Sequence, residues 1–245
     1  MRQKIASITQ MLRLPSVCVL CHHYHHQSFA VCLSCIELFK PIGPACRYCA
    51  LPLPDDKFLV CGHCCKEKPA FDQAFSAYIF EEPLRTLLHD FKYHGALYLK
   101  NVLAKLMLDA MPAGFTTECL VPVPLHSRRI GQRGFNQAAE LCKVLAQKLN
   151  INYEVNLCKK IIHTPSQASL DSKQRRRNMR QAFQARPSDY QHITIVDDLL
   201  TTGSTANELA RIFKKQGVAR VDLWCCARAL TDNVEDRSLT IAGVK

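Results

Sequence analysis

The chain has 245 residues, of which 48% are hydrophobic and 22% charged, with 14 cysteines and a formal net charge of +11. This is the composition of a folded protein with room for one full domain and a small one, and it excludes a disordered polyelectrolyte. No run of 18 apolar residues occurs, so no transmembrane segment is expected.

Residues 1–17 read as a short lead-in. Met1 to Pro15 carries charges but neither a continuous apolar core nor a small-residue cleavage site, so it does not read as a secretion signal, and a cytoplasmic location is expected. Residues 18–68 form a cysteine-rich head. Nine cysteines fall between Cys18 and Cys65, and eight of them make four CxxC pairs: Cys18/Cys21, Cys32/Cys35, Cys46/Cys49 and Cys61/Cys64. A CxxC turn sets two thiolates on one side of a knuckle, and two knuckles complete a tetrahedral site. Without a secretion signal, metal is a better reading than disulfides. Eight ligands imply two structural zinc ions. Sequential pairing (18/21/32/35 and 46/49/61/64) is preferred, and crossed pairing is also open. His22, His23, His25, His26 and His63 are read as surface imidazoles and Cys65 as a bystander. All four positions of each ion are filled by protein, so the head is a stapled module without chemistry of its own.

Residues 69–230 read as an α/β domain. Gln73 to Phe80 is aromatic-rich and loosely alternating, so a strand is expected. Glu81-Glu82-Pro83 opens a helix whose apolar residues Leu84, Leu87, Leu88 and Phe91 keep helical spacing until Gly95, and Leu97 to Met111 continues as a second helix. Phe91-Lys92-Tyr93-His94-Gly95 reads as a kink near a ligand site, its aromatics in packing roles. Cys119 to His126 is an apolar strand that its prolines must end near Pro124. A basic, turn-prone stretch, Ser127 to Gln137, precedes an amphipathic helix from Ala138 to Leu149. Between residues 120 and 190 there are 13 Lys or Arg against 4 Asp or Glu, a net +9 that favours polyanions. Lys173, Arg175, Arg176, Arg177 and Arg180 lie in that span and read as a mobile flap over phosphates, a nucleic-acid contact, or a plain helix with a charged face.

Ile193 to Val196 reads as a short buried strand. Asp197 and Asp198 follow it, then a hydroxyl-rich loop, a helix from Ala206 to Gln216, and Gly217 as its stop. Strand, loop and helix in this order aim backbone N–H groups and the positive helix end at one point, where an anion can sit. Thr201, Thr202, Ser204 and Thr205 add hydroxyl donors, and Gly203 allows close backbone approach. The two carboxylates cannot hold a phosphate themselves. They suit sugar hydroxyls or a Mg²⁺ ion beside it, so a 5-phosphosugar with free 2′ and 3′ hydroxyls fits both halves. Arg220 to Arg228 reads as a final buried strand, and residues 231–245 as a polar tail.

The run Val196-Asp197-Asp198-Leu199-Leu200-Thr201-Thr202-Gly203-Ser204-Thr205 closely resembles the phosphoribosyl pyrophosphate (PRPP) signature of type I phosphoribosyltransferases. The resemblance implies that Asp197 and Asp198 contact the ribose hydroxyls with Mg²⁺, that residues 200–205 hold the 5-phosphate, and that Arg128, Arg129 and Arg133 hold the pyrophosphate. The cysteine pairs, Phe-Lys-Tyr, Val-Pro-Val-Pro-Leu-His, Arg-Gly-Phe-Asn-Gln, Gln167-Ala168-Ser169-Leu170 and Arg175-Arg176-Arg177-Asn178 together resemble the ComF family over Cys18 to Leu230. That resemblance implies a double zinc ribbon followed by a type I phosphoribosyltransferase-like parallel sheet flanked by helices. It also implies a role in natural competence and DNA uptake, a gluconate-utilisation relative being known too. PRPP or a phosphoribosyl nucleotide is then the expected ligand, with single-stranded DNA and the competence machinery as expected partners. The alternative is a non-catalytic, single-stranded-DNA-binding adaptor with a relic or regulatory PRPP site. Two family glycines are replaced here, by Ser169 and His22, so those turns are expected to differ.

Overall fold

The computed structural model describes residues 15–162 and 182–230. The basic stretch with Lys173, Arg175, Arg176, Arg177 and Arg180, read as a flap, a nucleic-acid contact or a plain helix, lies outside the described residues, as does the tail. Strands β1 (Ser16–Val17) and β2 (Tyr24–His25) pair antiparallel in the cysteine-rich head, followed by two short helices, α1 (Leu33–Ile36) and α2 (Gly62–Lys66). Next come β3 (Gln73–Ile79), α3 (Leu84–Tyr93), a 3₁₀ turn at Leu97–Leu99 and α4 (Lys100–Asp109). The chain continues through β4 (Cys119–Pro122), α5 (Ser127–Arg133), α6 (Gln137–Leu149) and β5 (Asn152–Tyr153). It then forms an antiparallel pair, β6 (Cys158–Lys160) with β7 (Phe183–Ala185), and ends with β8 (His192–Leu200), α7 (Ser204–Lys215) and β9 (Arg220–Arg228).

The main sheet has the order β3-β9-β8-β4-β5, and every neighbouring pair is parallel. Parallel strands need crossovers, and these cover both faces with helices, so the central strands can be apolar throughout. Ile193, Ile195 and Val196 of β8 are accordingly fully buried. On one face Leu87 and Leu88 of α3, Leu103 of α4 and Leu141 of α6 share a core with Trp224. On the other, Leu209 and Phe213 of α7 pack with Ile193 and Ile195. The first face also takes in Cys18, Val31, Cys35 and Phe39 from the head, and Phe39 meets Tyr78 edge-on with ring centroids 5.8 Å apart.

From β4 the chain crosses outward through α6 to β5, and from β8 it crosses the opposite way through α7 to β9. The carboxyl ends of β4 and β8 therefore flank a topological switch point, where open α/β sheets bind ligands. Among the described residues, no helix is long and apolar enough to cross a membrane.

Two expectations change in detail. The strand read as ending at Val196 runs on to Leu200, so Asp197 and Asp198 sit inside β8 rather than in the loop after it. Its ladder with β9 continues past them, Leu199 pairing with Ala227 and Leu200 with Arg228. The basic stretch after β4 is not an open loop but the helix α5. His126 caps it by accepting from the Arg128 N–H at 3.2 Å, and Gly134, at φ +84°, ends it in the left-handed region.

Candidate functional site

Side chains alternate along a strand, so adjacent Asp197 and Asp198 start toward opposite faces of β8, but their carboxyl groups stay close enough to interact. Asp198 is buried, 2% exposed, whereas Asp197 keeps partial access. Asp197 turns back to accept from the Asp198 N–H at 2.9 Å. Burial first, then the Asp198 charge, pushes the Asp197 carboxyl well above the usual carboxylate range, while Lys92 pulls the other way.

Lys92 comes from the last turn of α3, and its Nζ lies 2.9 Å from Asp198 Oδ2. Asp198 Oδ2 has charge compensation but no well-formed hydrogen bond among the described residues. A buried carboxylate oxygen left in that state is suited to accept from a ligand hydroxyl. Burial alone would lower the Lys92 pKa, but Asp198 and then Asp197 outweigh it and hold the lysine above its ordinary value.

The loop after β8 passes through Gly203 at φ +74° and starts α7 with no side-chain cap. The first N–H groups of a 12-residue helix thus point at the loop. Thr201, Thr202 and Ser204 are exposed, and the hydroxyls of Thr202 and Ser204 lie 3.0 Å apart. A Cβ at position 203 would stand 3.5 Å from Leu200 Cδ1 and 3.7 Å from Phe71 Cζ, so position 203 combines the left-handed region with a packed wall.

Arg228, at the end of β9, secures this loop from below. Its guanidinium donates to the Leu200 carbonyl at 3.1 Å and to the carbonyls of Thr201 and Ala229, while its Nε donates to the Cys49 carbonyl at 2.9 Å. One side chain thus ties the hydroxyl loop to a knuckle of the cysteine-rich head.

On the β4 side, Arg128 is exposed and Arg129 half-buried. Arg133 lies over the Tyr93 ring at 5.1 Å and donates to Gln137 Oε1 at 2.6 Å. Since β4 and β8 pair directly and in parallel, with Pro122 opposite Val196, the segments that follow them, α5 and the hydroxyl loop, leave from the same end of the sheet. The structure joins the acidic pair to the hydroxyl loop through β8 itself and sets Arg133 beside Tyr93, the neighbour of Lys92, whereas Arg129 lies toward Lys160.

Lys92 and Arg228 were not singled out from the sequence. For Lys92 the signal was the Phe-Lys-Tyr run, but only the packing of α3 on the sheet, with Phe91 buried on one side, shows that its neighbour turns toward Asp198.

In the head, Cys18, Cys21, Cys32 and Cys35 converge, as do Cys46, Cys49, Cys61 and Cys64, all ligand atoms of each group lying within 4.8 Å of one another. This is sequential pairing. The Cys21 and Cys32 sulfurs are 3.7 Å apart and those of Cys49 and Cys61 are 3.6 Å apart. A tetrahedral zinc with bonds of about 2.3 Å needs sulfurs roughly 3.8 Å apart, so both groups fit that ion. Cys65 is exposed and belongs to neither group. The residue after each leading pair, His22 and Ala50, has positive φ (61° and 52°) and donates its N–H to the backbone carbonyl of Cys18 or Cys46. His22 thus takes the left-handed conformation that a glycine there would supply freely.

No family model matches the chain. It is, however, 32% identical over 225 residues to Competence protein F of Haemophilus influenzae, covering 86% of this chain and 96% of that protein. It is 33% identical over 228 residues to DNA utilization protein YhgH of Salmonella typhimurium, covering 90% of this chain and 100% of that protein. To Competence protein ComFC of Bacillus subtilis it is 27% identical over 205 residues, covering 77% and 80% respectively.

Proposed function

The chain belongs to the ComF family, and from that premise we propose that it binds PRPP or a phosphoribosyl nucleotide at the carboxyl end of β8, in the service of natural competence and DNA uptake, within the cytoplasm. The observation that carries this reading is the half-satisfied Asp198 carboxylate, backed by Lys92, one strand-end away from an uncapped helix start lined with hydroxyls. A ribose diol needs acceptors and a 5-phosphate needs donors, and β8 offers them in that order. Asp197 and Asp198 take the ribose hydroxyls, residues 200–205 the 5-phosphate, and Arg128, Arg129 and Arg133 the pyrophosphate. Lys92 already compensates Asp198, so in this reading Mg²⁺ arrives with the incoming pyrophosphate as part of the substrate. The chemistry open to this site is displacement of pyrophosphate from C1 of the ribose by an acceptor nucleophile, whose new bond to C1 forms as the C1–O bond to pyrophosphate breaks; the α5 arginines would neutralise the leaving group together with the Mg²⁺ it carries.

Calorimetric titration of PRPP with Mg²⁺ into the zinc-loaded protein tests this reading. Saturable binding that is lost in Asp197→Asn/Asp198→Asn supports it. No binding by the unaltered protein refutes it and leaves the loop as scaffold.

A second reading, a single-stranded-DNA adaptor, is favoured by a different surface. Lys68, Arg211, Lys214 and Lys215 line an open concavity between the head and α7. Beside it Tyr48 is approached by Arg47 at 5.4 Å and by Lys68 at 4.9 Å. Cations around an aromatic ring suit a sugar–phosphate backbone with a stacked base. Binding of labelled oligonucleotide that weakens with salt and falls in Arg211→Glu/Lys215→Glu, while surviving Asp197→Asn/Asp198→Asn, would favour this reading over the first.

A further inference from the structure

We propose that His89, Asp90 and His94 form a third metal site, of a different class from the cysteine centres, at the carboxyl end of α3. Their ligand atoms all lie within 4.8 Å of one another. His94 Nδ1 is 2.8 Å from Asp90 Oδ1, His89 Nδ1 is 4.0 Å from the same oxygen, and the two imidazole rings meet edge to face at 5.1 Å.

The local fold explains this convergence. Asp90 and His94 are four residues apart and share a helix face. His89 and His94 are five apart and would diverge on a continuing helix. Here α3 stops at Tyr93, His94 leaves helical geometry at φ −104°, and Gly95 turns the chain at φ +66°. The end of the helix therefore brings His94 back toward His89. A helix carboxyl end carries partial negative charge, which favours a cation there.

The donor set decides the kind of ion. Two imidazoles and one carboxylate suit a borderline divalent ion such as Zn²⁺, Co²⁺ or Ni²⁺, and suit Mg²⁺ poorly. Three protein ligands leave coordination positions open to water, unlike the closed Cys₄ centres. His89 and His94 side chains are 56% and 65% exposed, so small rotamer changes can complete the geometry at little cost. The site is also not remote. His89 packs against Tyr93 at 4.9 Å, Tyr93 carries Arg133, and Lys92 on the same turn holds Asp198. An ion there joins the end of α3 to its exit turn and steadies the segment from which Lys92 reaches the acidic pair. The proposal does not depend on PRPP binding.

The test uses untagged, full-length protein supplied with two equivalents of zinc, which the four-thiolate centres take ahead of the open three-ligand site, and titrates it calorimetrically with Ni²⁺ at neutral pH. One further equivalent should bind reversibly, and His89→Ala and His94→Ala should each weaken it roughly tenfold or more, since even outer-shell losses cost 10–100-fold. Zinc content by elemental analysis should stay at two per chain in both variants, and circular dichroism should be unchanged because both imidazoles are exposed. No further equivalent in the unaltered protein would overturn the site. So would an equivalent that survives both substitutions and disappears in His22→Ala/His23→Ala/His26→Ala, which would place the ion on the exposed imidazoles of the head.

Discussion

Lys92→Met is the substitution that most directly probes how the acidic pair is held. Methionine keeps most of the length of the side chain and removes its charge. Asp198 is 2% exposed and Lys92 23%, so the variant leaves a buried carboxylate that lacks its cation and already lacks a well-formed hydrogen bond. Breaking a buried pair by removing one partner costs about 3–5 kcal/mol. The residual exposure of Lys92 lets water screen the remaining charge, which brings the expected loss to about 2–4 kcal/mol. Trp224 is the only tryptophan and is 1% exposed in the core shared by α3 and α6, so its fluorescence reports unfolding in urea. Asp198→Asn should cost less, about 1–2 kcal/mol, because a partly exposed lysine can turn to solvent. The double variant should be more stable than the sum of the two losses predicts, with a coupling of about 1–3 kcal/mol. A loss below about 0.5 kcal/mol for Lys92→Met, or strict additivity in the double variant, would show that Lys92 and Asp198 do not depend on each other and would refute the reasoning.

Three other outcomes follow from the geometry. Gly203→Ala should cost about 1–2 kcal/mol, since φ +74° is left-handed, while the new methyl only reaches ordinary contact with Leu200 and Phe71; it should also weaken PRPP binding more than Thr202→Ala, which calorimetry would resolve. Arg228→Ala should cost about 2–4 kcal/mol, because it ends hydrogen bonds from a cation to the Cys49 and Leu200 carbonyls together; faster proteolysis of the hydroxyl loop relative to Arg228→Lys would confirm the link. Cys18→Ser should lower the urea midpoint reported by Trp224 as well as the zinc content, because Cys18 shares the core that contains that tryptophan. An unchanged Trp224 transition would mean that the head folds independently of the sheet.

Much of this arrangement was legible in the sequence, and the parts that were not have a common cause. The CxxC pairs were legible because two ligands of each knuckle are local, three residues apart. Which knuckles meet was left open, because it depends on the path of β1, β2 and the turns between them. The acidic pair and hydroxyl loop were legible because strand, loop and helix are contiguous. The end of the strand was misjudged because charged residues read as loop. Yet β8 is flanked by β4 and β9, and its ladder with β9 carries both carboxylates inside the sheet. The basic stretch before α6 read as a turn because its two glycines and three arginines outweigh one isoleucine; His126 and Gly134 supply the caps that make it helical.

What local sequence cannot convey is the partner contributed from afar. Asp198 meets Lys92 from 106 positions earlier in the numbering, and Arg228 reaches Cys49 across 179. Each contact forms only once a parallel sheet has brought distant carboxyl ends to one edge. The two also differ in kind. Lys92 supplies a charge without which a buried carboxylate is costly, so under the proposed PRPP reading its effect should fall on the ribose end of the site. Arg228 donates to backbone carbonyls, so its effect should fall on where the phosphate loop stands. If that division holds, Lys92→Met will weaken binding of PRPP and of ribose 5-phosphate alike, since both present the diol. Arg228→Ala will weaken binding of ribose 5-phosphate far more than that of free ribose. Equal losses for ribose and ribose 5-phosphate in Arg228→Ala would mean that the arginine supports the whole edge rather than the loop alone.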